Sequence, residues 1–144
     1  MIILGATGAG KTYLACAFGT AASRGFYSVR YIHLPDLLVE ISVARTNGTY
    51  RDYMKRLRKE KLLILDEWLL YPLKETVARD VLELVEARNK VASTIFCSQY
   101  DTSEWHENLY APSLADAICD RIIYNAYTIQ IEGESMRKRK GIPE

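Results

Sequence analysis

Eight residues near the start, Gly5-Ala6-Thr7-Gly8-Ala9-Gly10-Lys11-Thr12, limit this chain to few folds. Three glycines in a G-x-x-x-x-G-K-T frame let the backbone curl until successive N–H groups converge on phosphate oxygens. Such a loop needs a strand before it, to fix its root, and a helix after it, to add positive potential. Both flanks are present. Met1 to Leu4 is an apolar run, and Leu14, Phe18, Ala21 and Ala22 follow at helical spacing, with Gly25 at the expected stop. In this frame Lys11 would reach the β- and γ-phosphates and the Thr12 hydroxyl would ligate Mg²⁺. Gly5 to Thr12, with Tyr13 beyond, would line the nucleotide.

The remaining pattern alternates short apolar runs with helical periodicity. Strands are expected at Tyr27–His33, Leu62–Leu65, Ala92–Cys97 and Tyr127–Ile131. Helices are expected around Val77, Val81, Leu84 and Val85, and over Leu114–Ile123. Two helical patterns separate the second and third strands. One starts at Pro35 and carries Leu37, Leu38, Ile41 and Ala44 up to the Asn47-Gly48 turn; the other carries Tyr50, Tyr53, Met54 and Leu57. The expected architecture is a three-layer α/β phosphate-loop fold: a five-stranded parallel sheet, helices on both faces and a lid small or absent. Residues 1–132 read as its core and 133–144 as a basic tail. The 144 residues make one ordinary domain.

A second chemical element lies in Lys61-Leu62-Leu63-Ile64-Leu65-Asp66-Glu67. A buried strand ending in an acid carries Asp66 to the sheet's C-terminal edge, where it can hold Mg²⁺. Glu67 would then orient or deprotonate a water attacking the γ-phosphate. The Asp-Glu pair favours hydrolysis over transfer to a small acceptor and argues against a small-molecule kinase.

Composition narrows the rest. Lys+Arg is 19 against Asp+Glu 18, so a nucleic-acid surface would have to be a local patch. Arg51, Lys55 and Arg58 form such a patch at i, i+4, i+7 beside an apolar face; periodicity alone reads it as a solvated helix side. No apolar run approaches the ~18–20 residues that span a bilayer. Cys16, Cys97 and Cys119 are odd in number and set among apolar neighbours, as in a reduced cytoplasmic protein. His33 and His106 lack ligand spacing, and Trp68 and Trp105 read as packing or docking residues.

Several segments together resemble the IstB family, the AAA+ ATPase helpers of insertion-sequence transposition, related to the DnaC helicase loaders. They are the phosphate loop, Leu62–Trp68, Phe96-Cys97-Ser98-Gln99, Glu104-Trp105-His106-Glu107, Leu114–Ile118, Asp120-Arg121-Ile122 and Gly133-Glu134-Ser135-Met136-Arg137. The resemblance implies ATP and Mg²⁺ as cofactors, and assembly on DNA into a homo-oligomer through ATP-bridged head-to-tail interfaces. The partner it implies is a transposase, or a replicative helicase if the chain works as a loader. It gives Ser98, or its neighbour Gln99, the sensor of the γ-phosphate. It gives Arg121 the role of arginine finger in trans and Arg137 that of a second sensor in cis. The absence of a carboxylate three or four residues from Arg121 suits an outward-pointing side chain. The resemblance also turns Arg51, Lys55 and Arg58 into expected contacts to the DNA backbone, with little sequence preference. Members usually carry a long region before the phosphate loop, whereas only four residues precede Gly5 here. Weaker nucleotide binding, weak ATPase activity or an inactive fragment are therefore the competing expectations.

Overall fold

In the computed structural model, which describes residues 1–124 and 126–132, five parallel strands form one sheet in the order β2-β3-β4-β1-β5. The strands are β1 (Ile2–Gly5), β2 (Val29–His33), β3 (Leu62–Asp66), β4 (Ser93–Ser98) and β5 (Thr128–Ile131). The apolar run of β3 is buried along its whole length, as a central parallel strand covered on both faces must be. The order sets β4 between the acid-bearing β3 and the loop-bearing β1, so the ends of all three strands meet at one edge.

The two faces are covered unequally. α1 (Lys11–Arg24) covers one face, placing Ala15, Leu14, Phe18 and Ala22 against Ile3, Ile64 and Cys97. It lies close to the sheet at Gly19, where an added Cβ would come within 3.2 Å of Ile64 Cδ1. On the other face lie α2 (Leu34–Thr46), α3 (Tyr50–Lys59), α4 (Glu75–Arg88) and α5 (Pro112–Ile123), sharing a larger core with Leu63, Leu65 and Phe96. Trp68 and Trp105 are fully buried in that core, which fits packing and not docking.

Most expected elements appear within a residue or two of their expected ends. Strand β2 starts later than Tyr27 because the chain first closes α1: Phe26 turns left-handed (φ 66°) and the Tyr27 amide donates to Ala22 O. Tyr27 is left exposed. The expectations omit one element, a 3₁₀ segment at Thr102–Asn108 that seats Trp105.

The α2–α3 pair is pinned by polar contacts. Glu40 accepts from Arg30 of β2 (2.7 Å) and from the Tyr53 hydroxyl of α3 (2.8 Å). Buried Arg88 of α4 donates to Leu57 O, Glu60 O, Ser93 O and Thr94 Oγ1, which ties the end of α3 to the start of β4. Burial lowers its guanidinium pKa to about 10. With Tyr53, Met54 and Leu57 turned inward, α3 exposes Arg51, Lys55 and Arg58. Among the described residues no helix is long and apolar enough to cross a membrane.

Candidate nucleotide site

The loop leaves β1 through Gly5, whose missing side chain makes room for β5: a Cβ there would fall 2.9 Å from Ile131 O. Gly8 (φ 82°) and Gly10 (φ 105°) then take left-handed conformations that curl the chain, and Ala9 N–H donates to Ala6 O at 3.0 Å. The Lys11 ammonium folds back over the loop, donating to Gly5 O (2.7 Å) and Ala6 O (3.0 Å). Burial lowers its pKa, and the charge of Asp66 opposes that shift. Tyr13 is largely exposed at the first turn of α1.

Asp66, at the end of β3, is buried and collects donors. It accepts the Thr12 hydroxyl at 2.7 Å on Oδ2 and the Glu67 amide at 2.8 Å on Oδ1. The Tyr31 hydroxyl of β2 also donates to Oδ2. Burial, and then the bond to Asp66, push the Tyr31 phenol well above its ordinary pKa. Glu67 follows in a left-handed conformation (φ 54°), partly exposed, with Oε1 3.2 Å from His33 Nδ1. That nitrogen is shielded from solvent and lacks a well-aligned hydrogen bond. Neither Tyr31 nor His33 stands out in the sequence, where His33 lacks ligand spacing and Tyr31 is one of several aromatic residues in a strand. Their alternation along β2 puts both on one face, and the pairing of His33 with Asp66 brings them to the acids.

Two of the expected site residues sit in contacts that spacing along the chain does not show. Ser98 ends β4 beside the acids as expected, but it is buried and its hydroxyl is engaged, donating to Trp68 O and accepting from the Tyr100 amide, both at 3.1 Å. The next residue, Gln99, reaches the phosphate loop instead, accepting the Thr7 hydroxyl at 2.7 Å. Arg121 is not without a carboxylate partner. It pairs with Glu86 of α4 at 2.9 Å and donates to Ala117 O at 2.8 Å. The pairing partner comes from a neighbouring helix, which spacing along α5 cannot reveal.

Arg121 also lines a cavity of about 770 Å³, with Met1, Lys61, Ser93 and Tyr127. These residues lie at the starts of strands, at the edge opposite the phosphate loop. None of the cavity's lining residues belongs to the phosphate loop. The basic face of α3 is likewise separate, since α3 leads into the start of β3. Arg137 lies outside the described residues.

A phosphate-loop strand and an acid-tipped strand flanking a third, with Thr12 bonded to Asp66 across them, define the phosphate-loop NTPase fold of AAA+ type. Solved structures share this fold. AMPPCP-bound DnaA from Aquifex aeolicus superposes with a TM-score of 0.78 at 20% identity, covering 97% of this chain and 44% of that one. The DnaC helicase loader does so with a TM-score of 0.74 at 19% identity, covering 92% and 77%. The chain belongs to the IstB-like ATP-binding protein family, whose model matches residues 1–142. An insertion-sequence ATP-binding protein of Sinorhizobium fredii, y4pL, is 43% identical over 140 residues, which is 97% of this chain and 57% of that relative. The chain thus spans a little over half the length of the curated relatives it matches.

Proposed function

We propose that this chain binds ATP with Mg²⁺, hydrolyses it, and works as an ATP-controlled oligomer on DNA that assists a transposase in the cytoplasm. The hydrogen bond from Thr12 to Asp66 carries the reading, because it joins the two motifs of the site across 54 residues of sequence. A hydroxyl and a carboxylate at 2.7 Å are hard oxygen donors that suit Mg²⁺, which takes its other ligands from phosphate and water. When bound, the ion supplies charge neutralisation at the β- and γ-phosphates. In this reading Lys11 exchanges its bonds to Gly5 O and Ala6 O for phosphate oxygens, and the curled loop amides take the remaining charge. Gln99, held by Thr7, is placed to follow the γ-phosphate. Glu67 orients the attacking water and takes its proton.

Calorimetry with ATP and Mg²⁺, paired with phosphate release, tests the scheme. Wild type is expected to bind and turn over. Lys11→Ala should lose binding by about a hundredfold or more, as several charge-assisted hydrogen bonds disappear together. Glu67→Gln should keep binding and lose turnover. Absence of binding heat in the wild type would overturn the reading.

A further inference from the structure

The turn that follows Asp66 is conformationally strained and closely held. Glu67 (φ 54°) and Leu69 (φ 53°) both adopt the left-handed region, although neither is glycine, and Leu69 is fully buried. The surrounding structure must therefore impose the shape. The Glu67 amide is taken by Asp66, the Trp68 amide donates to Cys97 O at 2.8 Å, and the Leu70 amide closes back on Glu67 O at 3.3 Å. The next two carbonyls are held by side chains from elsewhere. Trp68 O accepts the Ser98 hydroxyl at 3.1 Å, and Leu69 O accepts the Asn108 amide nitrogen at 2.9 Å.

Both holders are themselves fixed. Ser98 accepts from the Tyr100 amide, and Tyr100 O accepts from Trp105 Nε1 at 3.1 Å. Trp105 packs edge-on against Trp68, with ring centres 5.8 Å apart. Asn108 closes the 3₁₀ segment that carries Trp105, and its backbone carbonyl accepts the Leu73 amide at 2.9 Å. That backbone bond is independent of the side chain, so substituting Asn108 removes the contact to Leu69 alone.

We propose that Asn108 and Ser98 are positioning residues for Glu67: by clamping the carbonyls of Leu69 and Trp68 they hold the left-handed turn that aims the Glu67 carboxylate. The inference rests on the reading of Glu67 as the group that activates water. It gives Ser98 a role in hydrolysis without contact to nucleotide. The 3₁₀ segment, with no reacting group of its own, becomes part of the catalytic apparatus. Errors of about 1 Å in a reacting group can cost on the order of a hundredfold in rate.

The test uses Asn108→Ala and Ser98→Ala in the whole chain, with Asn108→Asp as a near-isosteric variant that removes the donor should the alanine form fail to fold. The expected result is a kcat for ATP hydrolysis at least about tenfold lower, with ATP affinity within about twofold of wild type. In a Glu67→Gln background Asn108→Ala should add no further loss. Amide hydrogen exchange at Trp68 and Leu70 should quicken at least about tenfold while α4 keeps its protection. Asn108 variants that turn over within twofold of wild type, or that change only KM, would overturn the proposal. Should Glu67→Gln retain full turnover, the reading of Glu67 fails on its own account. Amide exchange then decides the clamp, and unchanged exchange at Trp68 and Leu70 rejects it.

Discussion

His33 Nδ1 and Glu67 Oε1 stand 3.2 Å apart at the ends of the paired strands β2 and β3. In the sheet order, β2 lies on the side of β3 away from β4 and β1. The contact therefore draws the Glu67 carboxylate toward β2, away from the phosphate loop, so if Glu67 activates water as proposed, its side chain must swing back while the clamped turn stays in place. His33→Ala should release it and raise basal ATP turnover by about two- to fivefold, the size of one partly exposed polar contact. ATP affinity should not change. Steady-state phosphate release without DNA checks this, and a fall in turnover would mean that His33 aims Glu67 and does not restrain it.

Local pattern reveals the phosphate loop and the acid-tipped strand but not the contacts that wire them together, for a physical reason. Burial on both faces makes β3 a continuous apolar run, and a curled phosphate loop demands glycines at fixed offsets, so both can be read within a few residues. The contacts of His33 with Glu67, Gln99 with Thr7 and Arg121 with Glu86 join residues 34 or more positions apart through strand order and helix packing. Spacing along one element carries no trace of them. The resemblance points to Ser98 or Gln99 near the end of β4, but which of these adjacent side chains faces the loop depends on the last turn of backbone. There the Ser98 hydroxyl turns inward to Trp68 O and Gln99 turns outward.

Arg51, Lys55 and Arg58 project from the exposed side of α3, held by Tyr53, Met54 and Leu57 below and by Arg88 at its end. If they meet DNA phosphates, replacing all three by Ala should weaken duplex binding evenly across sequences. The slope of log affinity against log salt should fall by about three, near 0.9 for each lost contact. Fluorescence anisotropy with ATP present, over a series of salt concentrations, measures it. An unchanged slope would return α3 to an ordinary solvated helix.

The three thiols should separate by reactivity. Burial raises Cys97 to about 12 and Cys119 to about 11, while Cys16 lies exposed on α1. At pH 8 the thiolate fractions of the buried pair are then about 10⁻⁴ and 10⁻³, and their access to reagent is blocked as well. Iodoacetamide followed by mass spectrometry should modify Cys16 first, with Cys97 and Cys119 reacting only in denaturant. Rapid labelling of Cys97 would show that α1 opens from the sheet.

Arg121 lies with the strand starts, on the far side of the sheet from its own phosphate loop, and β1 alone puts about 13 Å between the two edges. It cannot serve that loop, so any role at a γ-phosphate must be played on a second copy docked head-to-tail. Its bond to Glu86 is partly exposed, worth at most about 1 kcal/mol, and a phosphate from a neighbour can compete for the guanidinium. Arg121→Ala and Glu67→Gln should each abolish turnover alone. Mixed in equal amounts, they should recover activity at about one interface in four, where a chain with an intact Glu67 meets a neighbour with an intact Arg121. Phosphate release across mixing ratios, peaking near equal amounts, checks the arrangement. A mixture no more active than its parents would remove Arg121 from the reaction and leave it as the staple between α4 and α5.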